Sequence, residues 1–281
     1  MWVRGLKAFG EECNIIEFGV GQMSRFIDEL KGVSQVGLKP MGFRAAPSVP
    51  LKPRMLLVAT VAQVDVGHLA DFVAGADAGL LPIAKLSSGA KTLKQMCQAV
   101  SDIPWGGWLK EIGRGGIGQM VEAGCDFVVF PAANTSLVIL QDEKLGKILE
   151  VEPGLDPGLL KAIDDLPIDA VLIAAEEEKE HFLTWHHLML FRRCADLLTK
   201  PLLASVPPDV AASELQALWE AGVGGVVVTA GVGQPEGRLA ELRQMLDKLS
   251  LPPSGKRRKV EPLLPYIGGE TGIVSEEEEE E

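Results

Sequence analysis

Eight short apolar runs constrain this chain more than any other feature. They are Leu56 to Val61, Gly79 to Leu86, Trp105 to Leu109, Phe127 to Phe130, Ile148 to Val151, Ala170 to Ala174, Leu202 to Val206 and Val226 to Thr229, recurring about every 20 to 30 residues. All are rich in Val, Ile or Leu. Strands covered on both faces read this way. Helix-period stretches separate them: apolar positions fall three and four apart in Leu159, Leu160, Ile163 and in Leu215, Leu218, Trp219. Strands alternating with helices imply a parallel sheet.

The chemistry before each strand also alternates. The second follows Ala74-Gly75-Ala76-Asp77, the fourth Glu122-Ala123-Gly124-Cys125-Asp126, the eighth Glu220-Ala221-Gly222-Val223-Gly224, and the sixth the looser Leu166-Pro167-Ile168-Asp169. A glycine there ends a helix in the left-handed conformation and turns the chain into the next strand. Odd strands follow Pro or Lys instead, as at Lys52-Pro53-Arg54, Ile103-Pro104 and Lys200-Pro201. The two best copies, Glu122-Ala-Gly-x-x-x-Val-Val and Glu220-Ala-Gly-x-x-x-Val-Val, lie 98 residues apart, the spacing of a half-barrel repeat. Eight strands with eight helices predict a (β/α)8 TIM-type barrel over 55–249. An N-terminal extension, 1–54, is expected to pack on it, and a largely disordered acidic tail, 250–281, to follow it. An open doubly wound sheet is the alternative. That fold carries a Gly-rich phosphate turn after its first strand, where this chain has Val61-Ala62-Gln63-Val64-Asp65.

The Glu-Ala-Gly-x-x-x-Val-Val segments resemble those that precede strands in aldolase-type barrels, including ribulose-phosphate-binding ones. The resemblance covers the barrel alone. It implies an active site at the C-terminal ends of the strands.

Charge narrows the partners. The formal net charge is -12, and six of the negatives are the run Glu276 to Glu281, which leaves -6 for the rest. Such a body has no net attraction for a phosphate backbone, so no nucleic acid is expected as partner. The basic run Lys256 to Lys259 reads as a nuclear signal, a phosphate patch or a solvated segment beside the acidic tail. Cys13, Cys97, Cys125 and Cys194 form no CxxC pair, which excludes a zinc ribbon or a thioredoxin motif. They read as reduced thiols of a cytoplasmic protein, with the last three packing as small hydrophobes. No apolar run approaches a membrane span. Trp2, Phe9, Phe18 and Phe26 are expected to close the barrel floor or to form a contact in a homo-oligomer.

Candidate site residues come from the strand ends. In the fifth strand side chains alternate. Leu149 and Val151 face the helices, and Glu150 and Glu152 face the barrel or its mouth. If Leu81, Ile83 and Lys85 share the inward face of the second strand, Lys85 meets Glu150 there. That pair would supply a general base and an electrophilic cation, or would cap the barrel core as a buried ion pair. Asn134, Ser205 and Thr229 complete the predicted rim. Gly231 and Gly233 open the last helix as an anion cradle. Val206-Pro207-Pro208-Asp209, after strand seven, lacks amide donors for the other half of that cradle. Arg114-Gly115-Gly116 is a further anion candidate or a helix start. Glu176-Glu177-Glu178 reads as a solvated loop or, with Glu150, as a metal-binding group at the mouth, and His181, His186 and His187 read as solvated or packing side chains. No metal is assigned and no cofactor is named. A Schiff-base lysine at the end of strand six, as class I aldolases use, is absent.

These readings imply a small-molecule lyase or isomerase acting on a phosphorylated or carboxylated substrate. One alternative is a barrel without catalysis, kept for binding or assembly. Another is a flavin-binding barrel with a phosphate site across strands seven and eight.

Overall fold

The computed structural model describes residues 24–35, 54–62, 66–111, 116–174, 182–231, 237–249 and 251. Eight parallel strands close into a barrel in chain order: β1 (Leu56–Val61), β2 (Ala78–Ile83), β3 (Trp105–Leu109), β4 (Phe127–Pro131), β5 (Gly146–Val151), β6 (Ala170–Ile173), β7 (Leu202–Val206) and β8 (Gly225–Ala230). Closure is made by β1 on β8, in register from Leu56 with Gly225 to Val61 with Ala230. Helix α1 (Arg25–Gln35) precedes the barrel. Around it run α2 (Leu69–Phe72), α3 (Leu86–Ala99), α4 (Gly116–Glu122), α5 (Pro157–Asp164), α6 (Trp185–Leu197), α7 (Ala212–Glu220) and α8 (Arg238–Lys248). A 3-10 turn, Leu137–Gln141, stands where a helix would follow β4.

The alternation read from sequence has a hydrogen-bond basis. The amides of Asp77, Asp126, Asp169 and Gly224 donate to the carbonyls of Leu57, Trp105, Lys147 and Leu202, each at 2.8 Å. Every even strand thus enters the sheet by the same bond to the odd strand before it. Gly75, Gly124 and Gly222 have φ of 89°, 90° and 99°, the left-handed cap that three of the four copies require. The sixth lacks the glycine and closes through the Leu166 amide on the Ile163 carbonyl at 3.1 Å.

Two cores result. Outward side chains such as Leu57, Leu81, Ile83, Leu149, Val151 and Val228 pack under the helices. Inward ones, Leu56, Val58, Leu80, Phe127, Val129, Ile148, Leu172, Leu203 and Val227, fill the barrel. The floor is closed by α1, whose Phe26, Ile27 and Leu30 join the inner core at 0 to 1% exposure. The Phe26 ring stacks on Phe127 with centroids 4.5 Å apart. Asp126 fixes the start of α1 by accepting from Ser24 Oγ at 2.7 Å and from the amides of Arg25 and Phe26 at 2.9 and 3.0 Å. Lys31 Nζ reaches Asp169 at 2.8 Å. Phe26 therefore closes the barrel floor as expected. Trp2, Phe9, Phe18, Cys13 and the tail from 252 lie outside the described residues.

Candidate functional site at the barrel mouth

The inward-facing residues at the C-terminal strand ends are Thr60, Pro82, Trp108, Pro131, Glu150, Ser205 and Thr229. Glu150 stands where its parity placed it. Ile148, two residues before it, lies in the inner core, while Leu149 and Val151 lie in the outer one. The indole Nε1–H of Trp108 donates to Glu150 Oε2 at 2.8 Å, tying β3 to β5 across the mouth. Thr60 pairs in register with Thr229 on β8. Ser205 is half-buried and Thr229 exposed.

Lys85 requires a correction. The inward face of β2 is Ala78, Leu80 and Pro82; Leu81 and Ile83 pack outward under the helices. The strand ends at Ile83, and Lys85 is the N-cap residue of α3, its side chain exposed. Its carbonyl accepts from the Gly89 amide at 2.9 Å and from Ser88 Oγ at 3.1 Å. No ion pair joins it to Glu150. The misreading has a physical cause. Both faces of a parallel strand are apolar, so the run from Gly79 to Leu86 gives no parity signal, and Leu86 already belongs to the helix.

The other predicted residues spread over the rim. Glu152 lies one residue beyond β5 and is exposed; Asn134 is exposed in the loop after β4. Gly231 is buried at the end of β8 with φ of 143°. Gly233 lies outside the described residues, as do Arg114, His181 and Glu176 to Glu178. His187 serves as a cap: its Nδ1 accepts from the Thr184 amide at 3.2 Å, and its own amide donates to Thr184 Oγ1 at 3.3 Å. Among the described residues, no three His, Cys, Asp or Glu side chains gather as a metal site would require. No helix among them is long and apolar enough to cross a membrane.

Three further features stand at the mouth beside the assigned site residues. Trp108 is the first, the partner of Glu150. The second is a pair of buried hydroxyls, Thr60 Oγ1 and Thr135 Oγ1, with no hydrogen-bond partner among the described residues. Thr60 was hidden inside an apolar strand, because the reading began at the first polar residue after each strand. The third is Arg238, whose Nε donates to the Pro208 carbonyl at 2.8 Å. It fastens the turn after β7 to the start of α8.

The thiols among the described residues are shielded by burial rather than activated. Burial pushes Cys97 up to about 11, and it raises Cys125 and Cys194 as well. All three are free and protonated at neutral pH, packing as small hydrophobes.

Comparison with known proteins agrees with the architecture. No family model and no curated protein sequence matches the chain. Among solved structures, a mutant of the tryptophan synthase alpha-subunit from Pyrococcus furiosus matches with a TM-score of 0.54 at 15% identity, over 69% of this chain and 97% of that one. Thiamine phosphate pyrophosphorylase from Pyrococcus furiosus matches with a TM-score of 0.52 at 15% identity, over 68% of this chain and 96% of that one. The likeness is to the (β/α)8 barrel architecture that the chain itself shows. A likeness at this identity is one of fold, and a barrel fold alone does not select a reaction.

Proposed function

We propose that this protein is a barrel enzyme, a lyase or isomerase acting on a small phosphorylated or carboxylated substrate, with Glu150 as its acid–base residue. The carrying observation is the Trp108–Glu150 bond at 2.8 Å, which holds a carboxylate at the inward end of β5. An indole donor fixes one oxygen of the carboxyl group in place. That leaves Oε1, which has no hydrogen-bond partner among the described residues, for a substrate proton. Thr60 and Thr135 offer uncommitted hydroxyls at the same end of the barrel, and a ligand oxygen would satisfy them. The buried Gly231 at the end of β8 would receive the anionic end of the substrate. The two matched enzymes lend this reading the precedent of the fold.

Proton abstraction is detectable before any product is known. In deuterated buffer, a panel of small keto and hydroxy acids and polyol phosphates is incubated with the protein and followed by NMR. Deuterium should enter a carbon next to a carbonyl, and Glu150→Gln should slow that exchange by about 10²–10⁴-fold. No exchange on any compound, or equal exchange by the variant, would contradict the assignment.

One observation favours a barrel that binds without catalysis. With Lys85 on the outer rim, Glu150 has no cationic side chain bonded to it among the described residues to act as its electrophile. Saturable binding at the mouth without exchange would select that reading.

A further inference from the structure

The opposite end of the barrel holds a concave site. A cleft of about 420 Å³ opens between the start of α1, the segment leading into β5, the α5–β6 turn and Lys200. It lies at the N-terminal end of β5, whereas Glu150 is at the C-terminal end of the same strand. Part of its wall is apolar, from Ile27, Leu140, Leu145 and Leu166. Lys144 and Lys147 supply positive charge. Glu143 sits exposed at the rim, and Asp169 is already engaged by Lys31 at 2.8 Å and by the Lys147 amide at 3.0 Å.

Lys147 is the unusual member. It is 7% exposed, and its Nζ donates to two carbonyls, those of Asp142 at 2.6 Å and Leu145 at 3.2 Å. An ammonium has three donors, so one is left. Among the described residues no carboxylate pairs with it. A buried cation held by neutral carbonyls alone still lacks a counter-charge. An anion in the adjoining cleft would supply the missing counter-charge.

We propose that this cleft binds a small organic anion, a carboxylate or phosphate monoester carried on a short apolar body. The head group would take the third donor of Lys147 and the charge of Lys144, and the body would lie against Ile27 and Leu140. Ser24 and Ile27 belong to the segment that plugs the floor, so an occupant would brace α1 against β5. The site then lies at the opposite end of β5 from Glu150.

The test uses the full chain with three probes: hexanoate, hexyl phosphate, and hexylammonium as a body of opposite charge. Thermal unfolding and hydrogen exchange of the α1 amides are read at millimolar probe. At least one anion should raise the midpoint saturably and slow exchange from Phe26 to Leu30, and hexylammonium should do neither. Comparing hexanoate with hexyl phosphate tells which head group the site takes. Lys147→Met should weaken anion binding by about ten-fold or more. Should that variant fail to fold, Lys144→Glu at the exposed rim decides, with a weakening of about three-fold. The proposal is overturned if neither anion protects, if hexylammonium protects equally, or if the variant that folds binds as tightly as the unaltered chain.

Discussion

The two ends of the barrel are built on opposite rules. At the floor, polar groups are committed. Asp126 takes three donors from the start of α1, Asp169 takes Lys31, and Asp77 takes the Leu57 amide at 2.8 Å and Arg243 at 3.2 Å. At the mouth, Thr60 and Thr135 are buried without partners among the described residues, and Glu150 holds one indole donor. Satisfied groups fix a structure, whereas a buried group without a partner calls for a ligand, a water or another explanation. On the function proposed above, the floor carries stability and the mouth carries chemistry. Lys147 is the floor's exception, which is why it marks the second site.

Substitutions at the two ends should therefore differ in size and in sign. The largest effect belongs to Phe26→Ala, which empties a fully buried ring site against Phe127. It should cost about 3–5 kcal/mol in chemical denaturation. A cost under about 1 kcal/mol would mean that α1 does not plug the barrel. Next comes Asp126→Ala, which strands the first donors of α1. It should cost about 1–3 kcal/mol, with hydrogen exchange rising first in α1. At the mouth, Thr60→Val removes an unsatisfied hydroxyl while keeping the shape. Stability should stay level or rise by about 1 kcal/mol, and ligand affinity should fall. A loss of stability there would show that Thr60 is structural and would blur the contrast between the ends.

The smallest effect is one of pH. Burial holds the Cys97 thiol at about 11, against 9.0 for an ordinary thiol. The unfolded chain releases this proton at lower pH than the folded one. The contribution is fully present below about 9 and is lost as pH rises toward about 11. Cys97→Ala should flatten that part of the stability curve, as read by unfolding midpoints across the range. An unchanged alkaline slope would mean the burial of Cys97 is not felt.

The fold was legible because two independent signals agreed. Apolar runs gave the strands, and the Gly75, Gly124 and Gly222 caps gave the pairing of odd with even strands. The site was legible only where a polar residue broke an apolar strand. Glu150 did so in β5, and its parity followed at once. In β2 nothing polar appears on either face before Lys85, so the inward face was misassigned. Trp108 carried the right chemistry, but its partnership with Glu150 joins strands 42 residues apart. No spacing rule connects them; only closure of the barrel does.

The most direct measurement follows the Trp108 indole N–H resonance, assigned by its loss in Trp108→Phe, while small polyol phosphates and hydroxy acids are titrated in. A compound that stabilises the protein at the mouth should shift this signal, and Glu150→Gln should abolish both the shift and the stabilisation. If stabilising compounds leave the indole signal unmoved, or move it equally in Glu150→Gln, the mouth is not the site where this barrel works.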